Sequence, residues 1–175
     1  MALAHMACSL LPHLQIRLAV VDHGLRDESA AEARMVQERL LAFCQDVTIL
    51  TWRAPSKVTS RKLEQARNAR YALLNQWAVE RGVLRLWLAH HADDQAETIK
   101  MRQLQGSGTT GLRGMSTRRL MAPTVYERPL LDWSKSDLVA YCEAQRLSYV
   151  TDPTNADRAT ARGALRTKTD HSTSS

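Results

Sequence analysis

The chain has 175 residues and a mass of 19.7 kDa, with 44% hydrophobic and 24% charged residues, which excludes wholesale disorder and leaves room for one domain with a sizeable core. No apolar run approaches the roughly 18 to 20 residues needed to cross a bilayer, so no membrane partner is expected. The net charge is +6, but residues 1–50 carry four basic and six acidic side chains while residues 51–175 carry twenty and twelve. That excess fits either a polyanionic partner or a plain solvated basic surface.

In chain order, Met1–Leu14 is apolar-rich and reads as a core helix, because it lacks the basic start of a signal peptide. Residues 16–21 (IRLAVV) form a first strand that ends at Asp22-His23-Gly24. Glu28–Cys44 reads as an amphipathic helix, with Ser29 and Glu32 at capping-box spacing. Val47–Trp52 is a β-branched second strand. After a loop (APSKVTS), a long helix runs from Lys62 to Arg81, carries Leu63, Ala66, Leu73 and Trp77 on an apolar stripe, and stops at Gly82. Leu84–Ala89 is a third strand running into His90-His91. A helix over Asp93–Leu104 is broken by Gly106 and Gly108.

This alternation predicts an α/β fold, a parallel sheet with helices on both faces. Ligands of such sheets gather at the carboxyl ends of strands, which nominates the two His/Asp-bearing strand ends. Beyond Gly114 the pattern loosens, and one helix capped by Asp132 or Ser134 runs to Arg146. The expected organisation is an α/β core over residues 1–116, a helical extension over 117–166 and a disordered tail over 167–175. Cys8, Cys44 and Cys142 are far apart and form no CxxC pair. They exclude a disulfide framework, argue against zinc or iron–sulfur ligation, and suit a reducing cytoplasm.

The segment from Ala89 to Thr98 (AHHADDQAET) is the densest in chemistry. Asp94 and Glu97 are three apart at a helix start and share one face. Together they can hold Mg²⁺ beside phosphates, or the aspartates can simply cap the helix. His90 and His91 are adjacent on a strand and point to opposite faces, which disfavours a shared zinc and suits nucleobase or phosphate contact. The Gly106–Met115 segment (GSGTTGLRGM) reads either as a mobile linker or as a loop that lets backbone approach a substrate. It matches neither common phosphate-loop pattern. Arg67 and Arg70 share one helical face, as do Arg158, Arg162 and Arg166, and each set reads as solvated decoration or as a grip on phosphates.

These segments together resemble the tRNA(Ile)-lysidine synthetase family of N-type pyrophosphate-loop ATP enzymes. The resemblance rests on VDHGLR at 21–26, Glu64–Tyr71, HHADDQAET at 90–98, GSGxxGLxGM at 106–115, RPLL at 128–131 and DPTNAD at 152–157. It implies an adenine nucleotide alpha hydrolase-like fold and a ligase that uses ATP and Mg²⁺ to join free lysine to C2 of the wobble cytidine of tRNA(Ile). The tRNA would be adenylated first, and DNA would be no partner. The resemblance places Asp94 and Glu97 at the reaction centre as catalytic and Mg²⁺-binding residues. Asp22, His23, His90 and His91 would lie beside the nucleotide. Arg67, Arg70, Gly106, Gly108, Arg128, Arg162 and Arg166 would meet tRNA or phosphate.

Departures from the family pattern carry their own expectations. The family's Ser-Gly-Gly-x-Asp-Ser loop has no counterpart in these 175 residues, so the first strand of the sheet and the pyrophosphate loop are expected to be missing. Gln105 and Gly163 stand where the family usually has arginine and asparagine. A degenerate, inactive fragment that still binds tRNA is therefore the alternative function. A tRNA thiolase would call for paired cysteines, and a metal-dependent hydrolase built on HHADD for converging histidines. A sheet lacking a central strand would also expose unpaired edges and be poorly soluble.

Overall fold

The computed structural model describes residues 1–22, 24, 28–53 and 62–149. Within them lie α1 (Ala2–Leu10), β1 (Leu18–Asp22), α2 (Ser29–Leu41), β2 (Val47–Thr51), α3 (Lys62–Glu80), β3 (Arg85–Trp87), α4 (Ala92–Leu104), α5 (Thr109–Leu112), β4 (Arg118–Met121), β5 (Thr124–Glu127) and α6 (Lys135–Ala144). The expected α/β fold is present, and each helix and strand read from periodicity exists, most of them shortened, though α4 starts one residue earlier than expected and β1 runs on to Asp22. The first helix ends at Leu10, four residues before its expected end. The expected capping box on α2 is not formed: Glu28 is the N-cap, no side chain caps it, and Ser29 already lies inside the helix.

Two sheets share the strands. β1 and β2 pair in parallel, Leu18 opposite Val47 through Asp22 opposite Thr51. β3 pairs in parallel with β5, which in turn pairs antiparallel with β4. The hairpin of β4 and β5 is a correction to the sequence reading, which assigned residues 117–127 to a helical extension. Its strands are four residues each, too short and too polar to show an alternating pattern.

The core sits where α3 crosses the sheets. Leu74, Trp77 and Ala78 of α3 lie one turn apart on a single face and pack with Leu86, Leu88 and the fully buried Tyr126, while Ala19, Val21 and Leu50 join from the other sheet. β1 and β3 belong to separate sheets. Between them runs an apolar groove of about 610 Å³ lined by Val20, Val21, Leu74, Trp77, Leu86 and Leu88, and Arg70 and Ala89 also border it. Among the described residues no strand bridges β1 and β3 across this groove.

Candidate functional site

The chain leaves β3 and reaches His91, the extended N-cap of α4 (φ −126°, ψ −179°). The His91 amide donates to Asp94 Oδ2 at 3.0 Å. The His91 ring lies 3.5 Å from an Asp93 oxygen and 3.6 Å from an Asp94 oxygen. Asp93 Oδ2 in turn accepts from the Lys135 amide at 2.8 Å, at the first turn of α6. The neighbouring Ala92 amide donates to the Trp133 carbonyl, also at 2.8 Å. Both aspartates therefore satisfy orphan amides at helix N-termini, Asp94 on its own helix and Asp93 on α6. Glu97 follows one turn later on α4 and is exposed. Among the described residues, no group of three or more His, Cys, Asp or Glu stands together in a metal-holding arrangement.

His90 has different surroundings from His91, although β3 ends at Trp87 and neither histidine lies in a strand. It is half-buried, and its Nδ1 is buried without a partner among the described residues. Burial, then the charges of Arg128 and Arg70 and more weakly Arg67, lower its pKa to about 4 against the opposing pull of Asp94. An imidazole so placed is neutral at pH 7. The arginines converge from two elements. Arg70 and Arg67 come from α3, with the Arg67 guanidinium 5.9 Å from the Tyr71 ring centre. Arg128 follows β5, is 6% exposed, donates to the Ser116 carbonyl at 2.7 Å, and leaves its Nε without a partner among the described residues. A buried guanidinium with an unpartnered N–H, electrostatically coupled to a neutral imidazole, is chemistry suited to an anion or a nucleobase edge.

The remaining expected residues are dispersed. Asp22 is buried at the end of β1, where its Oδ1 accepts from the Gly24 amide at 3.0 Å and shapes the turn. Gly106 and Gly108 are exposed at the start of the glycine-rich segment. That segment is no loose linker, because it contains α5 and is bonded to α4 at four points. His23, Arg162 and Arg166 lie outside the described residues, as does Arg158.

A family model described as the PP-loop domain matches residues 1–171. The chain belongs to the PP-loop family. Curated relatives extend this. A tRNA(Ile)-lysidine synthase of Methylobacterium nodulans is 45% identical over 160 residues, covering 91% of this chain and 47% of the relative. Its counterpart in Anaplasma marginale is 40% identical over 136 residues, covering 78% of this chain and 29% of the relative. This PP-loop chain thus spans half or less of the length of these two relatives, and the resemblance read from its motifs is borne out. A solved structure, the U34-tRNA thiolase NcsA from Methanococcus maripaludis with its 4Fe–4S cluster, superposes with a TM-score of 0.71 at 16% identity, covering 87% of this chain and 54% of that one. At that identity the likeness speaks for the PP-loop fold alone.

Three participants escaped the sequence reading. Gln95 and Arg102 brace the glycine-rich segment. Glu127, only 8% exposed, receives the guanidiniums of Arg85 at 2.9 Å and Arg118 at 3.1 Å and the Trp87 indole N–H at 2.8 Å. The Arg85 and Trp87 bonds, together with the Arg118 charge, outweigh desolvation and hold the Glu127 carboxyl below the usual range. It fixes the strand end from which Arg128 projects. Its signal in the sequence was a charged residue inside a β-branched and aromatic tetrapeptide (TVYE).

Proposed function

We propose that this chain is the nucleotide-handling core of a tRNA(Ile)-lysidine synthase. ATP adenylates O2 of the wobble cytidine with release of pyrophosphate, and the lysine amine then attacks C2 and expels AMP. The observation that carries this reading is the convergence of Arg67, Arg70 and Arg128 on a neutral His90 beside α4, in a chain whose relatives bear that name. Cations already gathered in a partly desolvated site stabilise charge developing on a phosphate without reorganising. The neutral His90 adds a hydrogen-bonding group there and no further charge.

Asp94 and Glu97 are the catalytic pair in this reading. A carboxylate near the lysine amine accepts the proton that the amine must lose to act as a nucleophile. The same two side chains are the ones that would hold Mg²⁺, since that ion is commonly held by one or two carboxylates and completed by phosphates and water. When bound, Mg²⁺ neutralises phosphate charge. Asp22 and His23 are assigned to the nucleotide, His91 to shaping the same crevice, and Gly106, Gly108, Arg162 and Arg166 to tRNA.

The test is ATP-dependent transfer of radiolabelled lysine to tRNA(Ile) by the 175-residue chain, run beside ATP–pyrophosphate exchange. Transfer that vanishes in Asp94→Asn/Glu97→Gln while folding is retained supports the assignment. Wild-type rates in that double variant refute the site. Absence of both transfer and exchange refutes the catalytic reading for this chain alone, and salt-sensitive tRNA binding would then mark it as a binding fragment.

A further inference from the structure

The glycine-rich segment and α4 are held in register by two side chains spaced two helical turns apart on one face. Gln95 closes a two-way hydrogen bond with the backbone of Met115: its Oε1 accepts from the Met115 amide at 2.6 Å and its Nε2 donates to the Met115 carbonyl at 2.9 Å. Arg102 donates to the carbonyls of Gly111 and Gly114, each at 2.8 Å. The segment fits this frame without slack. A Cβ on Gly114 would stand 2.6 to 2.8 Å from the Gln95 amide atoms, and one on Gly111 would stand 2.7 Å from Ser107 Cβ. On the outer side Gly108, Thr109, Thr110 and Arg113 are exposed, offering small hydroxyls, backbone and one cation to solvent.

We propose that Gln95 and Arg102 are positioning residues that latch the Gly106–Met115 segment to α4, so that it meets the sugar–phosphate backbone of the tRNA already ordered. This deepens the reading above and rests on it. A segment fixed in advance does not lose conformational freedom on binding. Because the latch stands on the helix that bears Asp94 and Glu97, tRNA gripped by the segment is also registered against the acidic pair. Both residues act through the segment and touch no substrate.

The experiment pairs amide hydrogen exchange with tRNA(Ile) affinity for the full chain, wild type against Gln95→Met, which keeps the volume and removes both bonds. Exchange at the Met115 amide and through residues 106–114 should rise at least tenfold, while slow exchange in β1, β2 and the core of α3 stays put. Affinity for tRNA should weaken about tenfold through the added ordering requirement. Gln95→Glu keeps the acceptor for the Met115 amide and should restore part of its protection. Arg102→Met tests the other end of the latch and replaces Gln95→Met if that variant fails to fold. Unchanged exchange overturns the latch. Raised exchange with unchanged affinity overturns its role toward RNA. If the wild-type chain does not bind tRNA, the RNA reading and the positioning role fall together, and exchange still decides whether the latch exists.

Discussion

Substituting alanine for Gly114 should damage the protein more than the same change at Gly106, and the structure states by how much. Both glycines have positive φ, 72° and 69°, where an L side chain costs roughly 1–2 kcal/mol. Around Gly106 a Cβ would meet nothing within 4 Å, whereas at Gly114 it would meet three Gln95 atoms within 2.8 Å. Relief requires the Gln95 amide to swing away, which breaks its two bonds to Met115, each contributing about 1 kcal/mol. Gly114→Ala should therefore cost about 3 kcal/mol and Gly106→Ala about 1 kcal/mol. Urea unfolding followed by tryptophan fluorescence measures both, with the second variant as control for backbone strain. Equal losses would refute the close-packed latch and leave strain as the whole effect.

Three further outcomes are expected. Since the folded-state pKa of His90 is about 4 against an ordinary 6.5, the unfolded chain binds an extra proton between those values. His90 therefore makes stability fall as pH drops from 6.5 to 4 and level off below. An NMR titration should place the His90 midpoint near 4, and His90→Gln should flatten that part of the stability profile; a midpoint near 6.5 would refute the burial argument. Leu86→Ala, in the central cluster, should cost about 2–5 kcal/mol in the same urea assay. Ser134 Oγ accepts from the Asp137 amide at 3.1 Å as the cap of α6, so Ser134→Ala should cost about 1 kcal/mol.

Much of the fold was legible because β1 and β3 sit in apolar runs that end at Asp or His and β2 is β-branched, while α3 buries Ala66 and Trp77 of its expected stripe but turns Leu74 and Ala78, rather than Leu73, into the core. The β4–β5 hairpin was not, because Arg118-Arg119 and Glu127 look like surface residues. They become strand residues only once Arg85, Arg118 and Trp87 neutralise and bond Glu127, a pairing no local window contains. Ser29 and Glu32 had the right spacing for a capping box, yet the helix begins at Ser29 itself. In the site, Asp94, His90 and Arg128 were legible as residue types, but not how they are used. Asp93 caps a helix 42 residues away in sequence, a long-range bond that local spacing cannot reveal. Gln95 was hidden by its neighbours, since an amide between carboxylates attracts no notice until its partner at Met115 is seen.

The gap between β1 and β3 bears on how the domain holds together under load. Among the described residues no hydrogen-bonded ladder crosses from the β1–β2 pair to the β3–β5–β4 sheet, so the two are joined in the core through side chains: Ala19, Val21 and Leu50 pack against the cluster that Leu74, Trp77 and Ala78 of α3 form with Leu86, Leu88 and Tyr126. Units of this kind open separately when their shared contact loosens. Native-state exchange should resolve two blocks of amides, one on each sheet, whose opening energies converge only while α3 stays seated.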